Sequence, residues 1–346
     1  MRILVDLSHP AHVHLFRHAI RLWQAGGHAV HITTREKDIT TTLLRNYGFE
    51  FEVASVERKG RLRLVRALLE HDYGVWRAAR RFRPDVMLGT SVAIAHAGRL
   101  GPGRSAVFNE DDVASSPFFA RAAYPFAHHI VTPDSLPDRL GRKHVTYPSY
   151  HELAYLHPAR FTPDVRILQD IGLQQGQFFS VLRFVSLKAS HDIGQRGLSL
   201  NAKRELVRML SARGPVFITS ESPLVGEFEP HRLAVAPERI HDLLAFAGLF
   251  VGDSQSMAIE AAVLGTPALR CNTFVGRTPV IEEIQARYGL TLGFRPEQET
   301  DLLATAERLL ADPHTPARWQ EQRARLLADK IDLTAWMVDW VQGLVE

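Results

Sequence analysis

The 346-residue chain has one cysteine, Cys271. That excludes a disulfide within the chain and any zinc site built on cysteine pairs, and it fits a reducing cytoplasm. Long apolar runs are missing too: none approaches the roughly 20 residues needed to cross a bilayer. The opening Met1-Arg2-Ile3-Leu4-Val5-Asp6 reads as a strand rather than a signal peptide, because Asp6 interrupts it and no cleavage-type segment follows. Neither sign of charge dominates, with 41 Lys and Arg against 38 Asp and Glu, and no nucleic-acid partner is expected. Neither G-x-G-x-x-G nor G-x-x-x-x-G-K-[ST] occurs, which weakens dinucleotide-oxidoreductase and P-loop readings. The absence of G-x-S-x-G counts against a hydrolase with a nucleophile elbow. There are no repeats and no low-complexity tracts.

What is present is ordinary globular material, 45% apolar and 23% charged, in a length that suits two domains. Residues 2–7, 29–33, 51–53, 85–89, 105–108 and 129–132 read as strands, with helical periodicity between them. Prolines at 133, 137, 148, 158 and 163 mark a connecting segment, and the join is placed near Tyr147-Pro148. A second series follows, with strands 178–184 and 216–219 and helices 201–212 and 241–246. Three helices close the chain. The last, with Trp336, Val338 and Trp340, is apolar enough to cross back onto the first domain. The expectation is an α/β protein of two domains, 1–147 joined by 331–346, and 148–330.

The chain is organised around Gly252-Asp253-Ser254-Gln255-Ser256. An apolar run ends at Gly252, and a helical pattern starts at Met257 and stops at Gly265-Thr266-Pro267. Such a junction offers four or five unpaired N–H groups at the mouth of a parallel sheet, a ready place for phosphate. Glu260 lies about two turns into that helix, where a carboxylate can accept hydrogen bonds from vicinal hydroxyls such as those of a ribose. The plainer reading is a strand–helix junction with Asp253 or Ser254 as N-cap. Arg183 ends another strand, and Lys188, Ser190, His191 and Arg196 follow it. That positive loop suits a diphosphate.

In the first half, Ser8-His9-Pro10-Ala11-His12-Val13-His14 follows the first strand, where open parallel sheets place their ligands. Three histidines with no carboxylate beside them make a poor metal signature, and no metal or other cofactor is expected. His12 is the candidate general base or phosphate partner, while His9 and His14 read as capping or packing locally. Asn109-Glu110-Asp111-Asp112 puts three acids at a strand end; Glu110, with Asp111 beside it, is the functional candidate, and a loop whose acids simply face water is the plainer reading. Between residues 57 and 83, nine Lys and Arg face three acids, with aromatic and aliphatic residues interleaved. This is either a basic surface for an anionic membrane or acceptor, or a solvated helix face. Two α/β domains, no metal signature and an anion-binding helix suggest a cleft closing on a nucleotide-linked substrate.

Asp6-Leu7-Ser8-His9-Pro10-Ala11-His12-Val13-His14, Arg183-Phe184-Val185-Ser186, Ala189-Ser190-His191-Asp192 and Gly252-Asp253-Ser254-Gln255-Ser256-Met257 resemble the domain-of-unknown-function family 354 over nearly the whole length. More distantly, the chain is similar to GT-B proteins, namely the UDP-N-acetylglucosamine 2-epimerases and the lipid II-forming N-acetylglucosaminyltransferases. Residues 253–260 resemble the epimerase run Asp-Ser-Gly-Gly-Ile-Gln-Glu-Glu, which implies Ser254 on a diphosphate and Glu260 on a uridine ribose. Gln255-Ser256 stands where that run has Gly-Gly. Ala11-His12-Val13 resembles the transferase loop Gly-Gly-His-Val, and Phe108-Asn109-Glu110-Asp111 resembles its acceptor-side His-Glu-Gln-Asn.

The resemblance implies two Rossmann-like domains facing each other across a cleft. The expected activity is metal-independent glycosyl transfer from a UDP-sugar to a lipid-linked or saccharide acceptor. His12, Glu110 and Asp111 would be catalytic; Arg183, Ser190, His191, Ser254, Gln255, Ser256 and Glu260 would hold the donor. A UDP-sugar epimerase or hydrolase is the alternative, and a non-catalytic binding protein a further one. The expected place is the cytoplasm, including the inner membrane face.

Overall fold

The computed structural model describes residues 1–36, 38–56, 61–184, 196–220 and 224–345. The chain divides into two compact units, Met1–Arg160 with Lys330–Glu346, and Phe161–Asp329. The first holds β1 (Arg2–Leu7), α1 (Pro10–Ala25), β2 (Ala29–Glu36), α2 (Asp38–Asn46), β3 (Glu52–Val56) and α3 (Arg61–Phe82). It continues with β4 (Val86–Gly89), α4 (Val92–Leu100), β5 (Arg104–Phe108), α5 (Pro117–Ala123), β6 (His129–Pro133) and β7 (His144–Tyr147). The second holds α6 (Arg166–Asp170), β8 (Ser180–Phe184), α7 (Leu200–Ser211), β9 (Val216–Ser220), α8 (Ile240–Phe246) and β10 (Leu249–Gly252). After these come α9 (Gln255–Leu264), β11 (Ala268–Cys271), α10 (Pro279–Glu283), β12 (Thr291–Phe294), α11 (Glu299–Ala311) and α12 (Thr315–Asp329). The last helix, α13 (Leu333–Gly343), returns to the first unit.

Both sheets are wholly parallel. Helices cover the faces of such sheets, so their strands are apolar along their length. Accordingly Ile3, Leu4 and Val5 of β1 and Leu249, Phe250 and Val251 of β10 are all fully buried. The strand order is β3-β2-β1-β4-β5-β6-β7 in the first sheet and β12-β11-β10-β8-β9 in the second. The direction of winding therefore reverses between β1 and β4, and between β8 and β10. In doubly wound folds the crevice at the carboxyl ends of the strands flanking such a reversal is the binding place.

The chain leaves the first unit only after Arg160, later than the join expected at Tyr147-Pro148. The reason is a set of bonds from the segment after β7 to the start of α13. The Ser149 hydroxyl donates to the Ile331 carbonyl at 2.7 Å, and the Thr334 hydroxyl to the Ala154 carbonyl at 2.7 Å. Arg160 pairs with Asp332 at 2.7 Å. The indoles of Trp336 and Trp340 stack 5.5 Å apart, the first against Tyr147 and the second against Phe108.

The helix ends follow local rules. Pro10 starts α1 with the His9 side chain as cap, accepting the Ala11 N–H at 3.3 Å. Gly265 ends α9 in the left-handed region, φ 84°, and its N–H returns to the Ala261 and Ala262 carbonyls. The long α3 buries Val75, Ala78 and Ala79 and exposes Leu69 and Tyr73. Arg66, Arg77 and Arg81 are also exposed, so the visible part of the basic stretch is a solvent face with its apolar side in the core. Lys59 and its neighbours 57–60 lie outside the described residues.

Candidate functional site

At the reversal of the second sheet, Gly252 of β10 stands in register with Arg183 of β8. A Cβ on Gly252 would meet the Arg183 carbonyl oxygen at 2.6 Å, so only glycine allows this approach. The Asp253 N–H then donates to that same carbonyl at 3.0 Å. Ser254 is the N-cap of α9, its hydroxyl accepting the Met257 N–H at 3.4 Å. The Ala258 N–H bonds the Ser254 carbonyl. Those three bonds reduce the four or five open N–H groups expected here. By helix geometry Gln255 and Ser256 keep N–H groups with no intrahelical acceptor, and Ser256 is exposed.

Asp253 is nearly buried and is spent on structure. One carboxylate oxygen accepts the Leu198 N–H at 2.8 Å, and the other lies 3.7 Å from the Lys203 ammonium. Arg183, half-buried, donates to the Thr219 hydroxyl at 2.9 Å from the next strand. Ser190 and His191 lie outside the described residues. Glu260 faces inward from α9, 7% exposed, with a carboxylate oxygen 3.0 Å from Nε2 of His241 on α8. His241 is the partner that sequence reading missed. Cys271, at the end of β11, is fully buried, and burial together with Asp253 and the acids near it pushes its thiol up to about 12. It is no nucleophile.

At the reversal of the first sheet, β1 leads to the cap of α1 and β4 leads through Thr90 to α4. The Thr90 hydroxyl lies 2.6 Å from the ring of His12, which is half-buried in the first turn of α1. The structure thus joins His12 to the other lip of the reversal. His9 caps α1, as above, and the buried His14 packs against Tyr155 and Tyr47.

Beneath this lies a pair that sequence reading did not find. Asp6 and His71 are both buried, with a carboxylate oxygen 3.0 Å from Nε2. The Ser8 hydroxyl donates to Asp6 at 3.1 Å, Thr33 donates to the other oxygen at 2.9 Å, and Ser55 meets the far nitrogen of His71 at 2.9 Å. Burial raises the Asp6 carboxyl, but the charge and hydrogen bond of His71 outweigh it, with Thr33 helping, and hold it down to about 2. Asp6, a charge interrupting an apolar strand, is the one sign of it along the chain.

Glu110 sits just past β5. The His151 N–H donates to one carboxylate oxygen at 2.5 Å, and the His151 ring nitrogen lies 3.4 Å from the other. Burial pushes the Glu110 carboxyl up to about 8; the bond from His151 opposes this and Asp111 adds to it. Burial thus favours the protonated form of Glu110. His151 is held neutral, burial taking its ring down to about 3. Tyr147, stacked on His151, is fully buried and its phenol is pushed well above the usual value by burial. Asp111 is exposed and accepts the Ser116 hydroxyl at 2.9 Å, a local turn bond. Among the described residues no group of three or more His, Cys, Asp or Glu could hold a metal ion. Nor, among them, is any helix long and apolar enough to cross a membrane.

Two doubly wound domains with a final helix on the first are the GT-B fold. Solved structures match along the whole chain. A UDP-GlcNAc 2-epimerase from Neisseria meningitidis bound to UDP-GlcNAc is similar at 12% identity and TM-score 0.66, covering 100% of this chain and 99% of that one. A Staphylococcus aureus MnaA–UDP co-structure gives 11% and 0.70, covering 99% and 97%. The spinosyn forosaminyltransferase SpnP gives 15% and 0.68, covering 100% and 99%. At these identities the likeness is one of fold. No family model and no curated protein sequence matches the chain, so the likeness to family 354 rests on its motifs.

Proposed function

We propose that the chain is a GT-B glycosyltransferase that takes a UDP-linked sugar and passes it to a lipid-linked or saccharide acceptor in cell-surface glycan synthesis. The observation that carries this is the second reversal: Arg183 and Gly252 in register, directly before the open first turn of α9. A guanidinium and two free-ended N–H groups are what a leaving diphosphate needs as its bond to the sugar carbon breaks. With Arg183 and these amides neutralising that charge, the reaction calls for no metal. Glu260, propped by His241, is assigned to the ribose hydroxyls.

The first unit is assigned to the acceptor. Its hydroxyl proton goes to His12, held by Thr90, as the oxygen bonds the sugar carbon. The solvent face of α3, with Leu69 and Tyr73 among arginines, supports an acceptor carried at the inner face of the membrane. Family 354 membership is part of the same reading and is supported by the motifs quoted above.

A thermal-shift screen against UDP, GDP, CDP, TDP and ADP tests the donor assignment. At 100 times its dissociation constant a ligand adds roughly 2.7 kcal/mol. UDP is expected to raise the melting temperature selectively in the native chain and not in Glu260→Ala. Equal indifference to all five nucleotides would defeat the proposal.

One observation favours a second reading, a 2-epimerase-like enzyme. Burial raises the Glu110 carboxyl towards neutrality beside a His151 ring that burial keeps neutral, a pairing suited to giving and taking a proton at a sugar carbon. Incubation with UDP-N-acetylglucosamine and no acceptor separates the two, since rapid turnover belongs to this reading alone.

A further inference from the structure

Arg270, in β11, is the second-largest fully buried side chain among the described residues. It is poorly provided for. One terminal nitrogen pairs with Glu282 of α10 at 2.5 Å, and the other reaches the side-chain oxygen of Gln255 at 3.4 Å. Its Nε is buried with no hydrogen-bond partner among the described residues. Burial lowers its pKa and Glu282 opposes that fall. A buried guanidinium with an unmet donor costs stability that a leucine or methionine would not. Such expense is usually met at a working site.

The geometry points to Arg270 as the residue that orients Gln255 for a diphosphate. An arginine has donors only, so the amide oxygen of Gln255 must face it. The amide nitrogen of Gln255, with its two hydrogens, is then turned away from Arg270. Gln255 is the first residue of α9, so that nitrogen joins the N–H groups of Gln255 and Ser256. The Gln255 amide nitrogen and these two N–H groups are all donors, and the guanidinium behind them, paired with Glu282, holds the amide in that orientation. The Gly276 N–H also donates to Glu282, at 2.8 Å, which fixes the carboxylate that holds Arg270. In the epimerase-like run this place is glycine, where phosphate can approach the backbone closely; here a side-chain donor takes over that contact. This deepens the UDP-sugar reading and rests on it only for the nucleoside.

Calorimetric titration of the full chain with UDP, uridine and inorganic pyrophosphate tests the inference. Gln255→Glu keeps the size and the Arg270 contact but replaces the donor by an anion. UDP and pyrophosphate are expected to bind it about 10–100-fold more weakly, a charge-assisted hydrogen bond lost, with uridine unchanged. Arg270→Gln is expected to give the same selective loss; if it does not fold, Gln255→Glu carries the test alone. A general structural defect would weaken uridine equally and overturn the inference. UDP binding that Gln255→Glu leaves intact overturns it too, while the UDP-sugar reading stands. Pyrophosphate binding that depends on Gln255, with no preference for UDP, upholds the inference and defeats the nucleoside assignment. Failure of the native chain to bind either UDP or pyrophosphate defeats both.

Discussion

Glu110→Gln tests the first unit before any substrate is known. About one fifth of the Glu110 side chain meets solvent, and burial pushes its carboxyl from the usual 4.5 up to about 8. Between those values the unfolded chain has released a proton that the folded chain keeps. Stability therefore falls as pH rises from about 4.5 to about 8, and the effect is level above and below that window. At 1.36 kcal/mol per pH unit the whole fall is at most about 5 kcal/mol. Solvent access to the carboxylate brings the expectation to roughly 2–3 kcal/mol. Glutamine keeps the shape and still accepts the His151 N–H, but it does not ionise. Urea denaturation should find the two proteins nearly equal at pH 5 and the variant ahead by about 2–3 kcal/mol at pH 9. Tryptophan fluorescence reads the relevant unit, because Trp23, Trp76, Trp336 and Trp340 lie in it and only Trp319 lies in the other. A difference that stays constant from pH 5 to 9 would refute the account of Glu110.

Asp6→Asn should destabilise the first unit by about 3–5 kcal/mol at pH 7, the usual cost of breaking a buried pair from one side. Because the Asp6 carboxyl is depressed to about 2, its contribution is present above about pH 4 and disappears as pH falls through about 2. The gap between native and variant, followed by the same fluorescence, should therefore shrink by roughly 2–3 kcal/mol between those values. Gly252→Ala places a methyl within 2.6 Å of the Arg183 carbonyl oxygen, a backbone atom that cannot turn aside. We expect a loss of about 1–3 kcal/mol and weaker UDP binding, read by denaturation and by titration; a variant that binds UDP as the native chain does would argue against close β8–β10 approach as part of the site.

The alternation of strand and helix was legible because each of its signals is local. Gly252 after an apolar run, Ser254 as cap and Gly265 before Pro267 mark α9 within sixteen residues, and the structure has the helix there, beginning two residues earlier than its apolar pattern. The strands β11 and β12 were not legible. Each has four residues, and β11 carries Arg270 inside it, so a strand buried along its length shows no apolar run to mark it. The same residue shows why the sites were only half visible. His12, Glu110 and Gln255, the residues proposed for the site, lie just past strand ends, and a reader of sequence picks them out by that rule. Their partners follow no such rule. Thr90 meets His12, His71 meets Asp6, His241 meets Glu260 and Arg270 meets Gln255 only because parallel crossovers set strands and helices that are apart in the chain side by side. An arginine inside a strand looks like an error of burial until the sheet shows what its guanidinium touches. The groups proposed to face a ligand can thus be read along the chain. The groups that aim them are fixed by strand order, and strand order is where periodicity is silent.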